Sequence, residues 1–193
     1  MYETIGKEFG EQAVVTRQTK GIGLTFGEDD NMIHLDIVPG REINNYALEG
    51  KLNLFVKPDW AWQNGGSFKT NIRMQRNITS NKPQARTVIK LLKAYRDRNG
   101  LALPSLIIDQ YVVESLNERN FGVQLSTTEN LINSMNFIAI KLQNSTLRDL
   151  ANSSNNLLDK MSEMEKQQAS NQLSEDFARM KENVRYIKEI FEC

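Results

Sequence analysis

The chain has 193 residues, 39% hydrophobic and 25% charged, with 24 Lys+Arg against 24 Asp+Glu and a formal net charge of zero. This is the composition of a soluble globular protein, long enough for one ordinary domain or two small ones and able to fold without disulfide or metal. One cysteine, Cys193, and one histidine, His34, exclude a disulfide framework, a zinc cluster and any site needing two histidines, and the balanced charge argues against a large nucleic-acid footprint.

What remains is carboxylate, hydroxyl and ammonium chemistry, including a small anionic ligand gripped by a few lysines. No apolar run approaches the roughly 20 residues that span a bilayer, and Met1-Tyr2-Glu3 opens no signal peptide. A cytoplasmic protein without membrane contact is expected.

The first half reads as β-rich. A short helix is expected over Tyr2 to Phe9, then β-branched runs from Glu11 to Arg17, Gly21 to Phe26 and Met32 to Val38, with a polar turn at Glu28-Asp29-Asp30-Asn31. Together they predict an antiparallel meander. A hairpin follows from Asn45 to Val56, turning at Glu49-Gly50, and Trp60 to Ser67 reads as a loop.

The second half switches to the helical period. Helices are predicted over Lys82 to Arg98, Ser105 to Glu118, Thr127 to Gln143, and Asn156 to Phe191 with a break near Ala169. Ser126-Thr127-Thr128-Glu129 is a capping box opening the third. Strands first and helices second is the α+β pattern. The boundary falls near residue 80, giving a sheet domain over 1–80 and a helical domain over 81–193.

Three features carry candidate chemistry. In HLDIVPG, Ile33, Leu35 and Ile37 share one strand face, while Asp36 projects to the other beside His34 and Val38. An Asp facing water is the bland reading of that residue; a Mg²⁺ ligand is the functional one. On the helix over 82–98, Arg86, Lys90, Lys93 and Asp97 line the side opposite Val88, Leu91, Leu92 and Tyr95. That stripe is either solvated or, if it faces a cleft, a phosphate grip built on Lys90 and Lys93. Pro104-Ser105 then opens a nearly all-apolar helix, whose N-terminus offers unpaired N–H groups and a partial positive charge. Ser105 is an N-cap, a phosphate donor, or both. Elsewhere, the 4-3 apolar spacing of Leu173, Phe177, Met180, Val184, Ile187 and Phe191 fits packing on the helix's own domain better than a dimer seam, and Trp60 and Trp62 are aromatic side chains able to stack on a base.

Three blocks in order, LDIVPG at 35–40, ARTVIKLLKAYRDRNGLALPSLIIDQYVVESL at 85–116 and ANSSNNLLDKMSE at 151–163, resemble the template-independent nucleotidyltransferases of the oligoadenylate synthase and cyclic GMP-AMP synthase superfamily. The likeness is to the bacterial cyclic-oligonucleotide synthases in particular. It implies a polymerase-β-like sheet carrying three carboxylates for two Mg²⁺ ions, the third of them matching Asp36. It further implies that Lys93 and Ser105 contact the triphosphate of a nucleoside triphosphate. The implied reaction is in-line attack of a ribose hydroxyl on an α-phosphate with release of pyrophosphate, making cyclic or linear oligonucleotide signals of the kind used in antiviral defence.

The sequence departs from that pattern in one respect. No Gly-Ser followed by Asp-x-Asp precedes Asp36; Asp29-Asp30 has the wrong spacing, and Gly66-Ser67 comes after Asp36 with no Asp-x-Asp behind it. One carboxylate cannot hold two closely spaced Mg²⁺ ions. The expectation is therefore an incomplete nucleotidyltransferase, inactive alone, whose two further carboxylates come from a preceding segment or a second chain. The alternative is a catalytically dead nucleotide-binding or interaction module that regulates another chain; a third reading is a helical scaffold with no ligand.

Overall fold

The computed structural model describes residues 1–18, 21–28, 31–43, 50–56, 66–119, 125–144 and 146–191. The chain divides into two compact units, Met1–Met74 and Gln75–Cys193.

In the first unit, α1 (Tyr2–Phe9) leads into an antiparallel meander of β1 (Val14–Arg17), β2 (Ile22–Phe26) and β3 (Ile33–Ile37), in that spatial order. The register opposes Val15 to Leu24 to Leu35 and Thr16 to Gly23 to Asp36. Alternation therefore gives one apolar face and one polar face. α1 packs on the apolar face: the Tyr2 hydroxyl donates to the Val15 carbonyl at 3.2 Å, Arg17 lies over the Tyr2 ring, and Phe9 meets Phe26 edge-on. Ile22 and Leu24 are buried on the central strand, but Ile33 and Leu35 on edge strand β3 are 61% and 50% exposed. The predicted meander is present; the full burial of its apolar side is not.

A second three-stranded antiparallel sheet follows, β4 (Gly40–Glu42), β5 (Lys51–Val56) and β6 (Gly66–Asn71), then a short α2 (Ile72–Asn77). Asn71 starts that helix, its side-chain carbonyl accepting from the Met74 amide at 2.9 Å. β6 corrects the sequence reading, which ended a loop at Ser67. The polar run GSFKTN lacks a strong β pattern, and pairing with the apolar β5 makes it a strand. The predicted Asn45 start of the hairpin, Glu49 of its turn, Asp29-Asp30, Trp60, Trp62 and Cys193 lie outside the described residues; Gly50 takes φ +67, as a turn glycine does.

The second unit is helical: α3 (Pro83–Arg98), α4 (Ser105–Arg119), α5 (Thr127–Asn144), α6 (Glu163–Glu182) and α7 (Tyr186–Phe191). A small hairpin, β7 (Arg148–Asp149) with β8 (Asn152–Asn156), and a 3₁₀ turn at Leu157–Lys160 join α5 to α6. A single cluster of apolar residues runs from Ala85 to Ile190 and draws on all five helices and the 3₁₀ turn.

The last helix was predicted to start at Asn156 and break near Ala169. It starts at Glu163 behind a capping box, with Ser162 Oγ accepting from the Glu165 amide and the Glu165 carboxylate accepting from the Ser162 amide. It runs through the buried Ala169 and ends at Glu182, with Asn183 as its C-cap. The signal for that start, Ser162-x-x-Glu165, is legible in the sequence.

Candidate functional site

α3 and α4 form a helical hairpin, and its turn sets the geometry of the basic residues. Pro83 at the first helical position suits the start of α3. At its end Gly100 takes φ +60, the Leu101 amide donates to the Arg96 carbonyl at 3.0 Å and the Gly100 amide to Asp97 at 3.4 Å. That is a Schellman closure: glycine supplies the left-handed residue, and the residue after it returns to the last turn of the helix. Leu101 and Leu103 are buried as a result. α4 then begins against α3, with the Pro104 carbonyl accepting from the Ile107 and Ile108 amides.

This turn brings Lys93 and Ser105 into one cluster. Lys93 Nζ pairs with Asp109 Oδ1 at 2.7 Å, one helical turn beyond Ser105. Arg96 Nη1 donates to Ser105 Oγ at 2.8 Å and to the Leu103 carbonyl at 3.3 Å, while its Nε and Nη2 both reach Asp97 Oδ1 at 2.7 Å. Ser105 is thus the first helical residue rather than the N-cap, and its hydroxyl receives a hydrogen bond from a guanidinium. Lys90 lies one turn earlier on the same stripe, exposed and without an ion pair among the described residues. Arg86 is likewise exposed, so the stripe is solvated at its N-terminal end and enters the cluster only at Lys93.

Arg96 and Asp109 are the residues the sequence reading passed over. Arg96 falls between the polar and apolar sides of α3, and Asp109 sits within an otherwise apolar run. Only the pairing of the two helices reveals either. Chemically the cluster holds two cations and a hydroxyl at a helix N-terminus, where backbone N–H groups favour an anion. Each cation already leans on a carboxylate, so an incoming phosphate must share those donors.

Asp36 belongs to the first unit. It is exposed on edge strand β3, opposite Gly23, and its Oδ1 accepts from Gln18 Nε2 at 2.8 Å. Its neighbour His34 shares a 2.9 Å hydrogen bond with the Thr25 hydroxyl. Among the described residues no group of three His, Cys, Asp or Glu side chains is placed to hold a metal ion. A single carboxylate already bonded to an amide does not fit two Mg²⁺ ions, so the donor set among the described residues is insufficient for the expected metal pair. Two cavities of the helical unit, about 290 Å³ beside Leu91, Thr127 and Phe191 and about 250 Å³ beside Lys82 and Asn117, are lined by neither Lys93 nor Ser105. No described helix is long and apolar enough to cross a membrane.

No family model and no curated protein matches this sequence. Among solved structures, the chain is similar to the CD-NTase CdnG of Bradyrhizobium diazoefficiens, determined in complex with GTP, with a TM-score of 0.68 at 13% identity. The likeness covers 97% of this chain and 70% of that one. It shows the α+β fold of that CD-NTase, as the three sequence blocks implied.

Proposed function

We propose that this chain is the nucleotide-holding part of a template-independent nucleotidyltransferase, binding a nucleoside triphosphate by its phosphates at the α3–α4 turn. The single observation that carries the proposal is that α3 places Arg96 on Ser105 at the N-terminus of α4 and Lys93 on Asp109 one turn further along. The relative with this fold was solved with GTP, which favours a purine nucleoside triphosphate as the first ligand to try. The Ser105 hydroxyl and the first-turn N–H groups donate to phosphate oxygens, Lys93 and Arg96 supply charge, and Lys90 extends the positive stripe.

Transfer chemistry requires more than this chain offers. Among the described residues Asp36 is the one carboxylate we assign to the metal site, and two further carboxylates would come from another polypeptide segment or a second chain. The exposed apolar side chains of edge strand β3, Ile33 and Leu35, favour such a partner beside Asp36. The alternative, a catalytically silent nucleotide-binding module, rests on the same shortage of carboxylates.

Calorimetric titration with GTP and with ATP, each with and without Mg²⁺, tests the binding. Measurable heat that disappears in Lys93→Ala supports the phosphate site; no binding at millimolar nucleotide ends both nucleotide readings for this chain. A pyrophosphate-release assay then separates the two, since a module that needs partner carboxylates releases none by itself.

A further inference from the structure

The β4–β5–β6 sheet carries a feature unrelated to the phosphate cluster. Its register opposes Arg41 to Asn53 and Asn53 to Lys69, Lys51 to Asn71, and Phe55 to Ser67. Directly opposed residues in antiparallel strands project to the same side, so these seven residues share one face. The other face carries Gly40, Glu42, Leu52, Leu54 and Thr70, with Thr70 buried and both leucines half-buried.

On the first face Arg41, Lys51, Ser67 and Lys69 are exposed, and Phe55 is 47% exposed. Among the described residues no acidic side chain shares it, although residues 1–74 contain ten Asp+Glu against eight Lys+Arg. An acidic stretch of chain has therefore placed three cations on one side of a sheet. Arg41 and Lys69 flank Asn53 across two strand spacings, roughly 10 Å, and neither has an ion pair among the described residues. Like charges gathered on a sheet face repel, and an anionic ligand relieves that cost. An exposed phenyl ring one side-chain repeat along β5 from Asn53 costs hydration unless something flat covers it.

We propose that this face binds single-stranded nucleic acid, with phosphates on Arg41, Lys51 and Lys69 and a base stacked on Phe55. A cationic groove for the backbone beside an aromatic platform for the bases is what sequence-tolerant single-strand binding requires. Three phosphate contacts make a small footprint, compatible with a chain of zero net charge. The surface is independent of the nucleotide proposal above and stands or falls separately.

Fluorescence anisotropy of a labelled oligothymidylate of about 12 nucleotides, between about 50 and 200 mM salt, tests it. The expected result is binding that weakens with salt at a log–log slope near −2, three phosphates at about 0.7 each. Arg41→Ala and Lys69→Ala each reduce that slope by about 0.7. Phe55→Ala leaves the slope unchanged and weakens binding roughly five- to hundredfold. All three positions are exposed, and far-UV circular dichroism confirms that each variant folds; Lys69→Gln and Phe55→Leu replace any that does not. No anisotropy change at low salt overturns the proposal, as does binding that ignores all three substitutions. Inorganic polyphosphate that competes as well as the oligonucleotide, with no effect of Phe55→Ala on either, also overturns it, because it shows an anion site without base recognition.

Discussion

Lys93 is held by a buried carboxylate oxygen of Asp109 at 2.7 Å, so its substitution has two separable consequences. An ammonium has three donors, and the Asp109 oxygen pairs with it by charge without accepting a hydrogen bond, which leaves those donors for a phosphate. Lys93→Ala is expected to weaken nucleoside triphosphate binding about tenfold or more, the worth of a charge-assisted hydrogen bond. It also strands the Asp109 oxygen and lowers stability by about 1–3 kcal/mol. The double variant Lys93→Ala/Asp109→Ala should regain most of the stability and none of the affinity, read by urea unfolding and calorimetry on the same samples. Affinity that survives Lys93→Ala would show that this ammonium serves the helix pair alone. A second residue-scale test concerns Tyr95, which donates to the buried Asp176 carboxylate at 2.6 Å; Asp176 also accepts from Gln172 and Tyr186. Burial first, and the Asp176 hydrogen bond second, push the Tyr95 phenol far above its ordinary value of 10.0. A raised folded-state value stabilises fully below the unfolded value and is lost as pH climbs past it. Tyr95→Phe should cost about 1–3 kcal/mol near neutrality, and the deficit should shrink above about pH 10 in denaturant midpoints measured across that range.

At the scale of elements, two helices open with the same device. Ser126 with Glu129 begins α5, and Ser162 with Glu165 begins α6; each serine accepts from the glutamate's amide and each carboxylate accepts from the serine's amide. Backbone hydrogen bonds first, and the serine hydroxyls second, hold both carboxyls below their ordinary value of 4.5. A depressed folded-state value contributes stability above the unfolded value and loses it as pH falls. Ser162→Ala should cost about 1 kcal/mol at neutral pH, and its penalty should fade on acidification through the carboxylate range. Equal penalties at both ends of that range would mean that the Glu165 contact does not form in solution. The first of these boxes was legible in the sequence and the second was missed, for a local reason. The run before Ser162 contains Leu157, Leu158 and Met161 at a spacing that imitates a helix, but Leu157 and Leu158 are buried on a 3₁₀ turn and Met161 on the extended residue after it. β6 was missed for the complementary reason: its residues are polar, and its strand conformation comes from its partner β5. Arg96 was hidden because its role depends on a turn whose glycine is visible but whose closure direction is not.

At the scale of the molecule, the two units differ sharply in how much core they hold. The large apolar cluster lies wholly between Ala85 and Ile190, whereas the buried apolar side chains of residues 1–74 are Ala13, Ile22 and Leu24 among the described residues. That asymmetry follows from the sequence: the helical half repeats apolar residues at helical spacing on several segments, and the sheet half offers short strands with one apolar face each. The order of elements and the α+β class were therefore readable. What β3 packs against was not, because an apolar alternation states that a face is to be covered without stating by what. Ile33 and Leu35 remain 61% and 50% exposed beside Asp36, and a few buried residues stabilise a sheet weakly. Hydrogen exchange should accordingly find the amides of β1–β3 exchanging well before those of α3–α6, and limited proteolysis should leave a resistant fragment close to residues 75–193. If β3 awaits a partner segment, Leu35→Lys should leave exchange in α3–α6 unchanged and reduce self-association of the isolated chain, followed by sedimentation. A polypeptide that supplies the missing carboxylates should then protect β3 in the wild type and fail to protect it in Leu35→Lys. Equal protection in both would place the partner away from the Ile33 and Leu35 face.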